Sequence, residues 1–528
     1  MLQQPKLKRD LKGGHENRIP SGRRGEASKD TYPCKGTPLQ ERLWCLKMLQ
    51  FLETRLEREK IAVEMGKNSA VQGLWAIRRR FITSKSLIVL VSFVVIGVGT
   101  CPTTYIEKEE DQEQQSAATC PEYFRWIHED LRPWAREGIT RATLSRAQLG
   151  ASFKLVIVNG KAYVEKYRDS FQTRDVFSVW GFLQLLRRYP GKVPDLELMF
   201  DCADWAEFDK NGVDAANATD QLPVLFPRLP LFRYCGSDNT NYIVFPDWSF
   251  WGWAELNIKP WESLLKDIKE GNKRRRWVER EPYAYWKGNP FVHEIRYQLM
   301  KCNISYKQKH DWNVRLYPLN WTQESGTGYR KSNVANQCHY RYKIYIEGRA
   351  WSASGKYILA CDSPTLYVKA RFYDFFTRSM NPMQHFWPIK DDDLCKSIKF
   401  AVDWGNLHKQ EAQEIGKAAS EFMQEKVKMD YVYDYMFHLL TEYAKLLKFK
   451  PTIPQDAVEV WSETLACRHE GLHRKFMEES LVTSPRRSPC TMPPPYDPPS
   501  LNALLQSKAS SFKQVEMWEK NYWKNRST

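Results

Sequence analysis

Residues 86–101 read SLIVLVSFVVIGVGTC, sixteen consecutive positions without a charge. Such a run has to leave water, either in a protein core or in a bilayer. It is shorter than the ~20 residues that span a typical bilayer. Phe81 and Ile82 extend it, Lys85 can snorkel, and a short span suits the thinner membranes of the early secretory pathway. Its flanks choose between core and bilayer: Arg78, Arg79, Arg80 and Lys85 precede it, and Glu107, Glu109, Glu110, Asp111 and Glu113 follow it. Basic residues stay cytosolic. The expectation is a single-pass type II membrane protein of the Golgi or endoplasmic reticulum. Residues 1–80 form a basic, largely disordered cytosolic tail, 81–101 an uncleaved transmembrane signal anchor, and the bulk of the chain is lumenal. No A-x-A cleavage site is evident. A buried core segment is the alternative reading of the run. Met65 opens a segment, MGKNSAVQGLWAIRRRF, that would serve as a short cytosolic tail if translation began there.

That topology decides how the twelve cysteines are read. In an oxidising lumen scattered cysteines form disulfides; elsewhere they are buried thiols. None stands in a CxxC pair, so no metal site is expected. Sequons at Asn217, Asn303 and Asn320 agree with lumenal placement. The formal charge of +16 points to a basic surface or an anionic partner. No RNP pattern, zinc-finger spacing or helix-turn-helix signature supports nucleic acid. A nucleotide-sugar, whose diphosphate is a compact anion, fits a concave basic site.

Residues 102–118 read as a polar stem, and the globular part begins near Thr119. Phe153–Val158 and Lys161–Tyr167 read as strands around an Asn159-Gly160 turn. Val176–Arg188 reads as a helix and Leu196–Phe200 as a buried strand ending in carboxylates. Tyr342–Ile346 and Thr365–Val368 read as strands, and 406–427 and Tyr431–Phe449 as amphipathic helices. Strands alternating with helices give an α/β architecture. Beyond Thr452 proline returns, and the tail is expected to be extended or packed on the surface.

Four stretches offer chemistry. Asp201 and Asp204 follow the Leu196–Phe200 strand, where α/β sheets place ligands. A carboxylate there suits a general base, or simply caps a turn. Lys287, Gly288, Asn289 and Arg296 suit a diphosphate, with backbone N–H and cations converging on it, or form a turn with surface charges. Residues 348–356, Gly-Arg-Ala-Trp-Ser-Ala-Ser-Gly-Lys, lack the spacing of a P-loop, yet small residues running into Ser352-x-Ser354 suit a helix start that cradles an anion; a ligand-free capped helix is the alternative. Trp248, Phe250, Trp251 and Trp253 form either a platform for a sugar or peptide, or a packed corner. Asp391-Asp392-Asp393 reads as a capping or solvated loop and not as a metal site.

Together these stretches resemble glycosyltransferase family 90, the Rumi-type protein O-glucosyltransferases and capsule-associated proteins, with the plant branch nearest. The landmarks run in order: Glu129-Asp130-Leu131, Met199 through Asp204, Phe245 through Trp251, Ala284 through Asn289, Cys338 through Lys343, Glu347-Gly348 through Ser363, and Asp374-Phe375-Phe376. The resemblance implies a GT-B-like fold of two Rossmann-like domains facing a cleft: 119–260 on the acceptor side and 261–450 binding the UDP-sugar, with 451–528 a proline-containing extension. It implies inverting transfer from UDP-glucose or UDP-xylose to a hydroxyl of a protein or polysaccharide, with no cofactor or metal required. Carried over by position, Asp204 is the catalytic base. The donor site falls on Gly288, Asn289, Arg296, Arg349, Ala350, Trp351, Ser352, Ala353 and Ser354. The acceptor side includes Trp248, Phe250, Trp251 and Trp253, and Cys338 pairs with Cys361. Rumi-type enzymes carry Arg where Ser354 stands, and Lys356 is expected to supply that charge. The same departure keeps open a second expectation, a non-catalytic glycan-binding or scaffold protein with this fold.

Overall fold

The computed structural model describes residues 118–204, 229–304, 310–329, 332–486 and 488–527. The expected tail, anchor, most of the stem and the sequon at Asn217 lie outside the described residues. Among the described residues, no helix is long and apolar enough to cross a membrane.

The strands are β1 (Phe153–Val158), β2 (Lys161–Lys166), β3 (Leu196–Phe200), β4 (Leu231–Arg233), β5 (Gly236–Ser237), β6 (Ile243–Val244), β7 (Glu281–Gly288), β8 (Val314–Pro318), β9 (Tyr340–Tyr345), β10 (Thr365–Val368), β11 (Phe372–Tyr373), β12 (Trp387–Ile389) and β13 (Val458–Val460). The helices that matter for the site are α1 (Arg174–Arg188), α2 (Trp261–Lys273), α3 (Glu294–Met300), α4 (Gly355–Leu359), α5 (Leu394–Leu407), α6 (Lys409–Glu421), α7 (Met429–Leu446) and α8 (Pro498–Ser527).

Two sheets organise a mixed α/β fold. The first has the order β13-β2-β1-β3-β4-β6. Its β3, β4 and β6 run parallel, while β1, β2 and β13 are antiparallel additions. The β1–β2 turn places Asn159 and Gly160 at φ of 51° and 72°, and a type I′ turn needs positive φ at both positions. Every residue of β3 is buried, as a strand covered on both faces must be. Its Glu197 is tolerated there because Lys154 and Arg141 pair with it at 2.7 and 3.1 Å.

The second sheet, β12-β10-β9-β7-β8, is wholly parallel and Rossmann-like. Ala284, Trp286, Tyr342, Ile344, Leu366 and Val368 share one core with Ile398, Ala401 and Val402 of α5. A short β5–β11 ladder links strands from the two halves of the chain.

Three expectations are revised. The first sheet is mixed, because the β1–β2 hairpin and β13 extend a parallel core. The helix expected over 406–427 is two helices, α5 and α6, broken at His408, where φ/ψ are −103°/63°. The segment beyond Thr452, expected to be extended or packed on the surface, is built into the fold: β13 pairs with β2, Cys490 is bonded to Cys120, and α8 sends Val515, Trp518 and Tyr522 into the second core. Their spacing of three and four residues puts them on one face of α8.

Candidate active site

The carboxyl end of β3 divides two acidic residues by burial. Asp201 is 1% exposed and fully engaged, with Arg168 at 2.6 Å and Arg233 at 2.9 Å. The chain then turns outward. The Asp204 side chain is 32% exposed and is met by Arg174, the first residue of α1, whose Nη2 lies 3.1 Å from Asp204 Oδ2. Asp201 is therefore an anchor, and Asp204 is the carboxylate that an incoming molecule can reach.

The second sheet brings its own groups to the carboxyl ends of β7 and β9. Asn289 caps the turn after β7, its side chain accepting from Phe291 N at 2.9 Å. A Cβ on Gly288 would lie 2.5 Å from the Trp286 ring, so this position admits only glycine without rearrangement. Arg296 of α3 reaches under the loop after β9. It donates to the carbonyls of Glu347 (2.7 Å), Asn289 (3.2 Å) and Ile346 (3.2 Å) and to Ser352 Oγ (3.3 Å). All four partners are neutral. Desolvation lowers the Arg296 pKa to about 10, since burial disfavours the charged form.

The nearby Glu347 carboxylate only partly offsets that burial. It accepts from the N–H groups of Arg371 and Phe372 at 2.8 and 2.7 Å, and burial raises its pKa to about 7. Beyond it, Ser352 Oγ and Ser354 Oγ lie 2.8 Å apart, and Ser352 N donates to Tyr345 Oη. Arg349 is exposed and Ala350 buried. A cavity of about 170 Å³ lies nearby, lined by Arg371, Phe372, Tyr373 and Tyr367 among others; the Tyr367 ring stacks on Tyr345 at 4.1 Å.

Aromatic contacts join the two halves. The Arg174 guanidinium lies 4.4 Å from the Trp248 ring, Trp248 meets Trp351 edge-on at 6.2 Å, and Trp351 adjoins Ser352. Tyr234 packs on both indoles. Asp204, Trp351, Ser352 and Arg296 thus belong to one continuous set of contacts. The structure brings together Asp204, Gly288, Asn289, Arg296 and residues 348–354.

Two expectations are corrected. Lys356 is spent in the interior: its ammonium is 2% exposed, 2.8 Å from Asp247 Oδ2, 2.7 Å from Ser249 Oγ and 3.4 Å from the Ala353 carbonyl. A buried ammonium already paired with a carboxylate does not supply the charge absent at Ser354. Trp248, Phe250 and Trp251 are 2%, 1% and 0% exposed, so they are core and offer no ring face to a sugar. Trp253 is half-buried, its Nε1 donating to Gln172 at 2.7 Å. Elsewhere, Cys338 and Cys361 are bonded, and Asp393 caps α5 through Lys396 N.

Sequence reasoning missed Arg174 and the part played by Glu347. Arg174 stands thirty residues before Asp204, and no local pattern links them. Cys235, one of the scattered cysteines, is a free buried thiol; burial pushes it up to about 12, which leaves it unreactive.

Comparison with known proteins adds an independent finding. A family model described as Glycosyl transferase family 90 matches residues 115–519. Protein O-glucosyltransferase 1 of Bos taurus is 24% identical over 360 residues, covering 65% of this chain and 85% of that protein. The O-glucosyltransferase rumi homolog of Aedes aegypti is 23% identical, covering 65% and 83%. Protein O-glucosyltransferase 3 of Homo sapiens is 24% identical, covering 59% and 58%.

Proposed function

The chain belongs to glycosyltransferase family 90, and from that premise we propose that it transfers glucose or xylose, with inversion, from a UDP-sugar to a hydroxyl of a protein acceptor. The two sheets are read as the facing halves of a GT-B enzyme. The observation that carries the reading is the pairing of opposites across one contact network: a reachable carboxylate, Asp204, and a buried cation whose four hydrogen-bond partners are all neutral, Arg296.

In this reading the donor diphosphate lies against Arg296, with Ser352, Ser354 and nearby backbone amides completing its hydrogen bonds. These groups stabilise the charge that develops on the leaving UDP. Asp204 takes the acceptor proton as the hydroxyl oxygen attacks the anomeric carbon, because an alcohol is a weak nucleophile until that proton is leaving. A polysaccharide acceptor is the alternative within the same chemistry. No residue is assigned to hold a metal.

We place the enzyme in the secretory lumen, anchored through 81–101. Disulfides Cys120–Cys490, Cys302–Cys395 and Cys338–Cys361 support an oxidising compartment. The burial of Lys356 favours one competitor, a fold that binds nucleotide or glycan without turnover, since it leaves Arg296 as the main cation at the diphosphate. Screening the full chain for UDP release from UDP-glucose and UDP-xylose separates the two. The proposal expects release from at least one, abolished by Arg296→Met; UDP binding without release from either donor would favour the competitor.

A further inference from the structure

We infer that Arg174 is a positioning residue that fixes the transfer base, an inference that rests on Asp204 being that base. Arg174 is 4% exposed. Taking a guanidinium out of water costs several kcal/mol unless partners replace the solvent, so its placement calls for an explanation. Its Nη1 donates to the Cys202 carbonyl at 3.4 Å and its Nη2 to Asp204 Oδ2 at 3.1 Å. Asp204 is the carboxylate it pairs with among the described residues. Among the described residues its Nε hydrogen finds no acceptor, so burial is not explained there by a saturated hydrogen-bond set.

Two aromatic rings adjoin the guanidinium. Its central carbon lies 4.4 Å from the buried Trp248 ring and 5.0 Å from the ring of Phe171, which is itself 66% exposed. The backbone of Arg174 is fixed as well: its carbonyl accepts from Ser178 Oγ at 2.8 Å and from Tyr234 Oη at 3.3 Å. Asp204, by contrast, sits on a loop beyond β3 and is one-third exposed. A buried, backbone-anchored cation paired with it fixes one carboxylate oxygen at the reacting group.

The consequence for the step is specific. Arg174 occupies Oδ2, so Oδ1 faces the acceptor. The acceptor O–H bond breaks and its proton moves to Oδ1; the freed electron pair forms the new bond to the anomeric carbon. The bond from that carbon to the diphosphate oxygen breaks, its electrons leave with UDP, and Asp204 later gives its proton to water. Lysine cannot copy this arrangement, because a point charge does not donate in two directions from one plane as Arg174 does to the Cys202 carbonyl and Asp204.

The test uses the full chain and UDP release from whichever of UDP-glucose and UDP-xylose it turns over, with UDP titration calorimetry in parallel. Arg174→Ala is expected to lower kcat on the order of 10²-fold with the UDP Kd unchanged. Guanidinium chloride, below concentrations that unfold the chain, restores part of the rate; Arg174→Lys, which keeps the charge over Trp248, stays low. Combining Arg174→Ala with Asp204→Asn lowers the rate no further than Asp204→Asn alone. A near-normal kcat for Arg174→Lys, or additive losses in the double variant, would overturn the positioning role. An Asp204→Asn variant that turns over normally would instead remove the base assignment beneath it. If Arg174→Ala does not fold, Arg174→Lys and its melting curve decide the matter.

Discussion

Lys356 Nζ lies 2.8 Å from Asp247 Oδ2 with both side chains sealed from solvent, at 2% and 6% exposure. Burial works against the ammonium, but Asp247, Tyr357 and Asp374 together outweigh it, and the Lys356 pKa stands above its ordinary value. The pair bridges the turn after β6 to α4 and so joins the two halves of the fold.

Lys356→Met is accordingly a stability variant. It strands the Asp247 carboxylate in the interior, a change that costs about 3–5 kcal/mol. Denaturant titration is expected to show a loss of that size, while the folded fraction binds UDP with unchanged affinity. A folded Lys356→Met variant that has lost UDP binding would return Lys356 to the donor site.

Glu347 gives the protein a pH dependence opposite in sign to that of a carboxylate held by an ion pair. Burial raises its pKa from 4.5 to about 7, so between those values the folded chain holds a proton that the unfolded chain has lost. Stability falls as pH rises through this window and remains lower above it. The contribution is on the order of 3 kcal/mol. Asp374, raised by burial to about 6, acts in the same direction. Glu347→Gln, which keeps the acceptor for the Arg371 and Phe372 amides, is expected to flatten the decline of melting temperature between pH 5 and 8 and leave the smaller part due to Asp374.

Cys120 and Cys490 are bonded across 370 positions of sequence, and the same segment is held by Asp434 Oδ2 accepting from Cys490 N at 3.0 Å. Cys490→Ser is expected to cost about 2–5 kcal/mol, read from urea unfolding under non-reducing conditions. A change below that range would mean that the segment is fixed by its other contacts alone.

What the sequence made legible was local. The β1–β2 hairpin follows from alternation around Asn159-Gly160, and β3 and β10 from short apolar runs. The carboxylates after β3 were located by the end of that run, but only burial tells Asp201 from Asp204. Composition could not show whether Trp248, Phe250 and Trp251 form a surface or a core, since both uses want large rings; packing against Tyr234, Trp261 and Phe375 makes them core. The break at His408 has no proline to announce it, and Gly405 lies inside the preceding helix; the imidazole stacks on Trp404 at 4.6 Å. Partners far apart in sequence, such as Asp247 with Lys356 or Arg174 with Asp204, leave no periodic trace. The apolar face of α8 was obscured by the prolines that precede it.

The central claim, that Asp204 draws the proton from the acceptor while Arg296 holds the departing diphosphate, is tested most directly by one pair of readings on Asp204→Asn. UDP affinity by calorimetry is expected to match the unaltered chain, while sugar transfer falls by on the order of 10²–10⁴-fold, the share a general base supplies. Transfer at the unaltered rate by a folded Asp204→Asn protein would contradict the account.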